Sequence, residues 1–301
     1  MSNKTMNGTL VSKVLYTELR SFLEDKNDKP LKLIDISVGN DFGGKMYADM
    51  KKRTLEKQVA YLVESRHFDS ITEDELVSVI ENINRDSEID GLMLQLPFPK
   101  EISSREREIL DTIACSKDVD GLTIKSIGKL VVGDDTLEPC TPKGIITLLK
   151  VYGVGLLGKN VCIINRSNIV GKPLEQLFLN EDATTTVCHS KTKNLKQICC
   201  NSDIVIAAMN KQEMIDSSYI TDGCIVVDVG VHKNSEGKTV GDVNYDEVYE
   251  KASLITPAVG GVGPMTICML AYNTAKTRYG NEVDAVLEKG IEKAKVLVNK
   301  L

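Results

Sequence analysis

At 301 residues, with 42% apolar and 27% charged side chains, the chain is about twice the usual length of one domain, so it predicts two domains or one large α/β unit. A formal charge of -6 and a pI near 5.3 supply none of the basic excess needed for general binding to nucleic acid or to an acidic membrane surface. No run approaches the roughly 20 apolar residues of a membrane span, and the opening MSNKTMNGTLVSKVLYTEL lacks the apolar core of a signal peptide. A cytoplasmic protein with no membrane partner is therefore expected.

The first predicted element is a helix, from the spacing of Leu10, Val14, Leu15, Leu19, Phe22 and Leu23. DKNDKP leads from it to the apolar run LKLIDISVG, and NDFGG forms a loop before a helix carrying MYADMKKRT. On that helix Tyr47 and Lys51, four apart, share a face, whereas Lys52 and Arg53 turn away from it. A helix over 73–84 precedes DGLMLQLPFP, whose apolar core between Gly91 and Pro97 predicts a buried parallel strand.

A second series follows EPCTPKG. Apolar runs at 160–165, 184–189, 202–209 and 224–231, with helical segments at 171–180 and 193–200, have the spacing of a doubly wound parallel sheet of the Rossmann type. The tail 265–301, rich in Ala, Lys, Glu and Leu, reads as helical and is expected to pack back on the first domain. The eight cysteines (115, 140, 162, 188, 199, 200, 224 and 268) lie mostly inside apolar runs, without the two-residue gap of a zinc knuckle. They are expected to be reduced and mostly buried. No trio of His, Cys and carboxylates has metal-ligand spacing, and no metal is expected.

INRSNIVGKPLEQLFL places a strand end, a short polar loop and then Gly171 and Pro173 at a helix start. That arrangement points backbone N–H groups and a helix dipole at a phosphate. The spacing is not G-x-G-x-x-G, since Asn165 stands at the first glycine's place, and a loop of this kind taken alone is more often only a loop. Arg166 ends this strand. Ser190 ends the next, where an acid would normally hold the ribose of NAD. Arg166, Ser190 and Lys191 suit a 2′-phosphate instead, and so NADP rather than NAD.

Tyr47 with Lys51, DGLMLQLPFP, KDVDGL, PCTPKG, RSNIVGKP, TVCHSKT, GDVNYDEV and TPAVGGVGPMT occur here in order over roughly residues 6 to 278. Together they resemble the bifunctional methylenetetrahydrofolate dehydrogenase/cyclohydrolase family. The resemblance implies a homodimer of two-domain α/β subunits. One domain, 1–140 with 268–301, would bind tetrahydrofolate derivatives, and a Rossmann-like domain, 141–267, would bind NADP, with the active-site cleft between them. Lys51 matches the family's catalytic lysine, Gln95 the glutamine bonded to it, Tyr47 the tyrosine packed on the folate ring, and Asp120 the carboxylate holding the pterin edge. The same resemblance assigns substrate contacts to Leu96, Pro97, Gly260, Gly261 and Pro264. Cofactor contacts fall to Thr141, Asn165, Arg166, Ser167, Val170, Gly171, Ser190, Val231 and Gly261.

Each assignment has a plainer reading. Alone, Lys51 would be a solvated lysine, Tyr47 a half-buried helix anchor, and Asp118 and Asp120 turn residues before Gly121. Gln95 is harder to set aside, since a buried amide needs a partner. His189, ending a strand, reads as structural; His67 and His232 sit in polar surroundings. Departures from the family's pattern are Val259 for a proline, Gly44 for a serine, Asn165 for a glycine, and AAMNKQ for a glycine-containing turn. The rival readings are an NAD-dependent monofunctional dehydrogenase, a non-catalytic Rossmann-type binding protein, and a shikimate or amino-acid dehydrogenase of similar layout. The last two do not account for Lys51, Gln95 and Asp120.

Overall fold

The computed structural model describes residues 4–39 and 42–300. Met1 to Asn3, and Asn40 and Asp41 of the expected NDFGG loop, lie outside the described residues. In chain order the elements are α1 (Gly8–Lys26), β1 (Lys32–Val38), α2 (Phe42–Val59), β2 (Leu62–Phe68), α3 (Glu73–Arg85), β3 (Gly91–Leu94), α4 (Glu106–Asp111), α5 (Ile124–Val132) and α6 (Cys140–Val151). There follow β4 (Asn160–Ile164), α7 (Gly171–Asn180), β5 (Thr184–Cys188), α8 (Leu195–Cys200), β6 (Ile204–Ala207) and β7 (Ile225–Asp228). Then come β8 (His232–Lys233), β9 (Thr239–Val240), α9 (Tyr245–Lys251), β10 (Leu254–Ile255), α10 (Val262–Tyr279) and α11 (Glu282–Val298). The chain divides into two compact units, one of Tyr16–Cys140 with Met269–Lys289, the other of Met1–Leu15, Thr141–Cys268 and Gly290–Leu301.

The 16–140 unit is built on a parallel sheet in the order β2-β1-β3. Side chains alternate between the faces of a strand. Ile34 and Ile36 of β1 and Leu92 and Leu94 of β3 therefore point together into a core with Leu76, Ile80 and Ile83 of α3 and Ile109 and Leu110 of α4. Helix α3 forms where the sequence places it because Thr72 and Glu75 make a reciprocal capping box at its start. The opposite face of the sheet, carrying Asp35 and Met93 in register, is the one that matters for chemistry. Pairing in β3 ends at Leu94, sooner than DGLMLQLPFP suggests, and Pro97 two residues beyond Gln95 has no N–H to continue a ladder. Strand β2, outermost in the sheet, has a weak burial alternation and few apolar residues, and the sequence does not announce it.

The other unit holds a five-stranded parallel sheet in the order β10-β7-β6-β4-β5. The chain goes from β4 to β5 on one side and crosses back to β6 on the other, so its direction of winding reverses between β4 and β6. That is the position at which open α/β sheets bind ligands, outside the carboxyl ends of the strands. All of β6 and nearly all of β4 are buried, as expected of strands covered on both faces. None of the eight cysteines, all within the described residues, is in a disulfide, and six are buried. The thiols of Cys162, Cys188 and Cys199 meet in this core at 3.8 Å from Cys162 to each of the others.

Candidate active site

In the 16–140 unit, α2 lies against the polar face of the sheet. Lys51 is only 6% exposed, with Nζ 4.0 Å from Met93 Sδ and 4.8 Å from the centre of the Tyr47 ring. The four-residue spacing thus puts a cation over an aromatic face, a pairing strengthened by removal from water. The Tyr47 hydroxyl is pushed well above its ordinary range by burial, and further by the nearby Asp120 and Cys140. It stays a neutral phenol that can donate a hydrogen bond.

Gln95 follows β3 directly and lies on the same face as Met93, two residues before it. Its Nε2 donates to Asp35 Oδ1 at 2.7 Å. Asp35 is 3% exposed; burial raises its pKa, while the Lys51 charge and the Gln95 hydrogen bond pull it down. The sequence reading missed this carboxylate. Its signal was present as a lone acid inside LKLIDISVG, set between the apolar Leu33 and Ile34 on one side and Ile36 on the other.

KDVDGL resolves into three separate tasks. Asp118 is a turn residue, its carboxylate accepting the backbone N–H groups of Leu122 at 3.1 Å and Thr123 at 2.9 Å and the Ser126 hydroxyl at 2.7 Å. Val119 packs so closely on Gly91 that a Cβ at residue 91 would stand 2.5 Å from Val119 Cγ1. The glycine of DGLMLQ is therefore a requirement of close approach. Asp120 keeps its carboxylate for the site. Burial raises its pKa, the Lys51 charge lowers it, Asp118 raises it again, and a hydrogen bond from Cys140 lowers it. Asn273 of α10, also unforeseen, donates to the carbonyls of Val119 and Glu138, both at 2.8 Å, and so ties down the segment bearing Asp120. Lys51, Tyr47, Gln95, Asp35 and Asp120 thus form one set: a cation, an aromatic ring, an amide and two carboxylates of raised pKa. Leu96 and Pro97, joined by a cis peptide bond, follow Gln95 directly.

In the other unit, the loop after β4 is organised by Asn165. Its side-chain oxygen accepts the N–H groups of Ser167 at 2.7 Å and Gly171 at 3.1 Å, and its amide nitrogen donates to the Ala208 carbonyl after β6. Asn165 therefore bridges the point where the winding reverses, with its side chain spent on the loop. A Cβ at Gly171 would sit 2.2 Å from the Asn165 carbonyl oxygen, so the helix can start there only with glycine. Ser167 Oγ accepts the Val170 N–H at 3.1 Å. Among the described residues the N–H groups of Arg166, Asn168 and Ile169 meet no protein acceptor, and the Arg166 side chain is exposed.

Ile164 and Cys188 are paired in the sheet, and Arg166 and Ser190 each lie two residues beyond them. His189 Nδ1 accepts the Lys191 N–H at 3.1 Å, a structural duty that holds the turn bearing Ser190. The stretch from His189 to Lys193 holds no carboxylate, two lysines and one serine. Donors and cations without an acid fit a dinucleotide that carries an extra phosphate.

The AAMNKQ turn is held from beneath. Asp242, fully buried, accepts the N–H groups of Met209 at 2.7 Å, Asn210 at 3.2 Å and Lys211 at 2.7 Å and pairs with His232 Nε2 at 2.7 Å. Asn210 takes a φ of 57°, the left-handed region that asparagine tolerates. Asp228 in turn accepts the Asp242 N–H at 3.0 Å and the Val243 N–H at 3.1 Å, and burial pushes its pKa up to about 6. Val231 beside it is exposed. Thr141 and Thr266 share a hydroxyl hydrogen bond of 3.0 Å. Gly260 accepts the Thr9 N–H through its carbonyl at 3.0 Å, Gly261 follows it, and Pro264 lies in the first turn of α10. Among the described residues no group of three His, Cys, Asp or Glu could hold a metal.

Residues 6–120 match the family model described as tetrahydrofolate dehydrogenase/cyclohydrolase, catalytic domain, and residues 139–281 match the NAD(P)-binding domain of the same family. The chain is 45% identical to the bifunctional protein FolD of Agathobacter rectalis over 270 residues, 89% of this chain and 96% of that protein. It is similar to the crystal structure of the bifunctional enzyme FolD, methylenetetrahydrofolate dehydrogenase/cyclohydrolase, from Campylobacter jejuni, with a TM-score of 0.87 and 39% identity over 91% of this chain and 97% of that one. It is also similar to the methylenetetrahydrofolate dehydrogenase-cyclohydrolase of Trypanosoma brucei complexed with NADP cofactor and inhibitor, with a TM-score of 0.85 and 29% identity over 92% and 97% of the two chains.

Proposed function

The chain belongs to the tetrahydrofolate dehydrogenase/cyclohydrolase family, and we propose here how its own residues serve that family's two reactions. The protein oxidises 5,10-methylenetetrahydrofolate to the 5,10-methenyl cation with NADP and hydrolyses the cation to 10-formyltetrahydrofolate, a conversion of one-carbon metabolism. The observation that carries the residue assignment is the Lys51 ammonium, buried beside Tyr47, Gln95, Asp35 and Asp120. Folate binding and catalysis are assigned to 1–140 with 268–301, and cofactor binding to 141–267.

Asp120 holds the amino-pyrimidine edge of the pterin, because a carboxylate accepts a forked pair of N–H donors. Tyr47 packs its ring on the folate, with Leu96, Pro97, Gly260, Gly261 and Pro264 as further contacts. When bound, NADP would supply the acceptor for the hydride of the methylene carbon. The loop N–H groups would hold its pyrophosphate, Arg166 and Ser190 its 2′-phosphate, and Thr141, Asn165, Ser167, Val170, Gly171, Val231 and Gly261 would complete its contacts. Oxidation asks little acid–base help of the protein, since the folate nitrogens stabilise the cation, and the protein's contribution is orientation.

Hydrolysis needs proton transfer. Water adds to the methenyl carbon and gives up both of its protons as the formyl carbonyl forms, the bond from that carbon to N5 breaks, and N5 takes up one proton, so that one proton is released overall. Lys51 is the group assigned to move these protons, with Gln95 orienting it without adding charge. The enzyme is further proposed to act as a cytoplasmic homodimer. No helix among the described residues is long and apolar enough to cross a membrane, and free thiols suit a reducing compartment.

The test follows reduced cofactor and methenyl-folate together in one assay on the purified protein, with NADP and NAD in parallel. Reduced cofactor with little methenyl build-up is expected, faster with NADP. Build-up of methenyl at the rate of oxidation would remove Lys51 and its neighbours from a hydrolytic role.

A further inference from the structure

Asp35 is in the wrong place for an ordinary structural residue. Its strand neighbours Ile34 and Ile36 are fully buried apolar residues, and an ionised carboxylate among them is destabilising unless something in the site requires it. Among the described residues its side chain has one hydrogen-bond donor, the Gln95 amide at 2.7 Å. An ionised carboxylate can only accept, so Gln95 must turn its NH₂ toward Asp35 and its carbonyl away. The amide is thereby held in one of its two orientations, leaving an acceptor oxygen of the kind that suits an ammonium or a water proton. Asp35 also attracts the Lys51 ammonium across the polar face of the sheet.

We propose that Asp35 is a positioning residue for the hydrolytic half-reaction: it fixes the orientation of the Gln95 amide, so that the carbonyl oxygen of that amide is presented to Lys51 and the attacking water. The inference rests on the assignment of hydrolysis to Lys51. The groups that face this set are Tyr47 and Asp49 on α2, Gln95 and Met93 at the end of β3, and Asp118, Asp120 and Cys140 on the segments that follow. Of these, Asp49 is exposed and Asp118 is spent on its own turn, which leaves Asp35 and Asp120 as the anions withdrawn from water on this face.

Asp35→Asn keeps the shape and removes the obligatory acceptor and the charge, and Asp35→Ala is the second variant. In both, the ratio of hydrolysis to oxidation is expected to fall about tenfold, through kcat rather than the KM for methenyl-folate. Combining Asp35→Asn with Gln95→Ala should lower hydrolysis no further than Gln95→Ala alone, since one residue acts through the other. An unchanged ratio, losses that multiply in the double variant, or equal loss of both activities in both single variants would each overturn the proposal. Failure of the reading beneath it would look different: the wild-type protein itself would not hydrolyse methenyl-folate, or Lys51→Met would hydrolyse it at the wild-type rate.

Discussion

At the scale of single residues, the chemistry of this protein turns on which charged side chains are out of water. Lys51 and its neighbour Lys52 are the same residue type on the same helix, yet Lys51 is 6% exposed while Lys52 reaches toward Glu56 in a half-exposed i,i+4 pair at 4.0 Å. Lys51→Met should therefore lower hydrolysis of methenyl-folate by at least about a hundredfold while leaving oxidation measurable, as followed by methenyl absorbance; wild-type hydrolysis in this variant would refute the assignment. Arg166 is exposed and makes no ion pair among the described residues, which suits a cation kept for a ligand. Arg166→Ala should raise the KM for NADP about tenfold, the scale of one charge-assisted hydrogen bond, and raise that for NAD much less. The sequence could pair Tyr47 with Lys51, because helical spacing is arithmetic. It could not separate Asp118 from Asp120, since that depends on which carboxylate the turn's own N–H groups consume. Nor could it single out Asp35, because an acid in a strand usually marks the wet face, and here the face is covered by α2.

At the scale of elements, most helices and core strands were readable because their periods are strong: α7 spans the expected 171–180 residue for residue, and α3 runs one residue past the expected 73–84. The short strands β8, β9 and β10 were not, as two residues carry no period. The phosphate loop depends on contact between elements. Gly171→Ala would drive a Cβ to 2.2 Å from a backbone oxygen that cannot retreat without moving β4. The expected outcome is a loss of about 1 to 3 kcal/mol of stability and a weaker NADP affinity, read by calorimetry and titration. Hydrolysis, which uses no NADP, serves as the check that the folate site survives. Asp228 gives the same network a pH dependence. Its folded pKa near 6 lies above the ordinary 3.8, so the folded state binds the proton more tightly, and its contribution to stability grows as pH falls from 7 toward 4. Between pH 7 and pH 5 wild type should gain about 1.4 kcal/mol relative to Asp228→Asn; parallel unfolding curves for the two proteins across that range would contradict the assignment.

At the scale of the whole molecule, the polar groups that make up each half-site lie within one compact unit. Tyr47, Lys51, Gln95, Asp35 and Asp120 all belong to Tyr16–Cys140, and Asn165, Arg166, Gly171, Ser190 and the Asp242-held turn all belong to the stretch Thr141–Cys268. The reason is visible in the bonds. Asp35 is held by Gln95 and the Asp120 segment by Asn273, whereas Asn165 is held by Ala208 and the 209–211 turn by Asp242. Each ligand should then find its own contacts ready without the other. NADP alone and a folate analogue alone are both expected to stabilise the protein, each by about 2.7 kcal/mol at a hundred times its Kd, seen as a rise in Tm with either ligand added singly. A protein that NADP stabilises only once a folate analogue is bound would show that the loop after β4 is not preformed. The N–H groups of Arg166, Asn168 and Ile169 would then have to be brought into place by the first ligand, and the fixed duties of Asn165 and Asp242 would have to yield during binding.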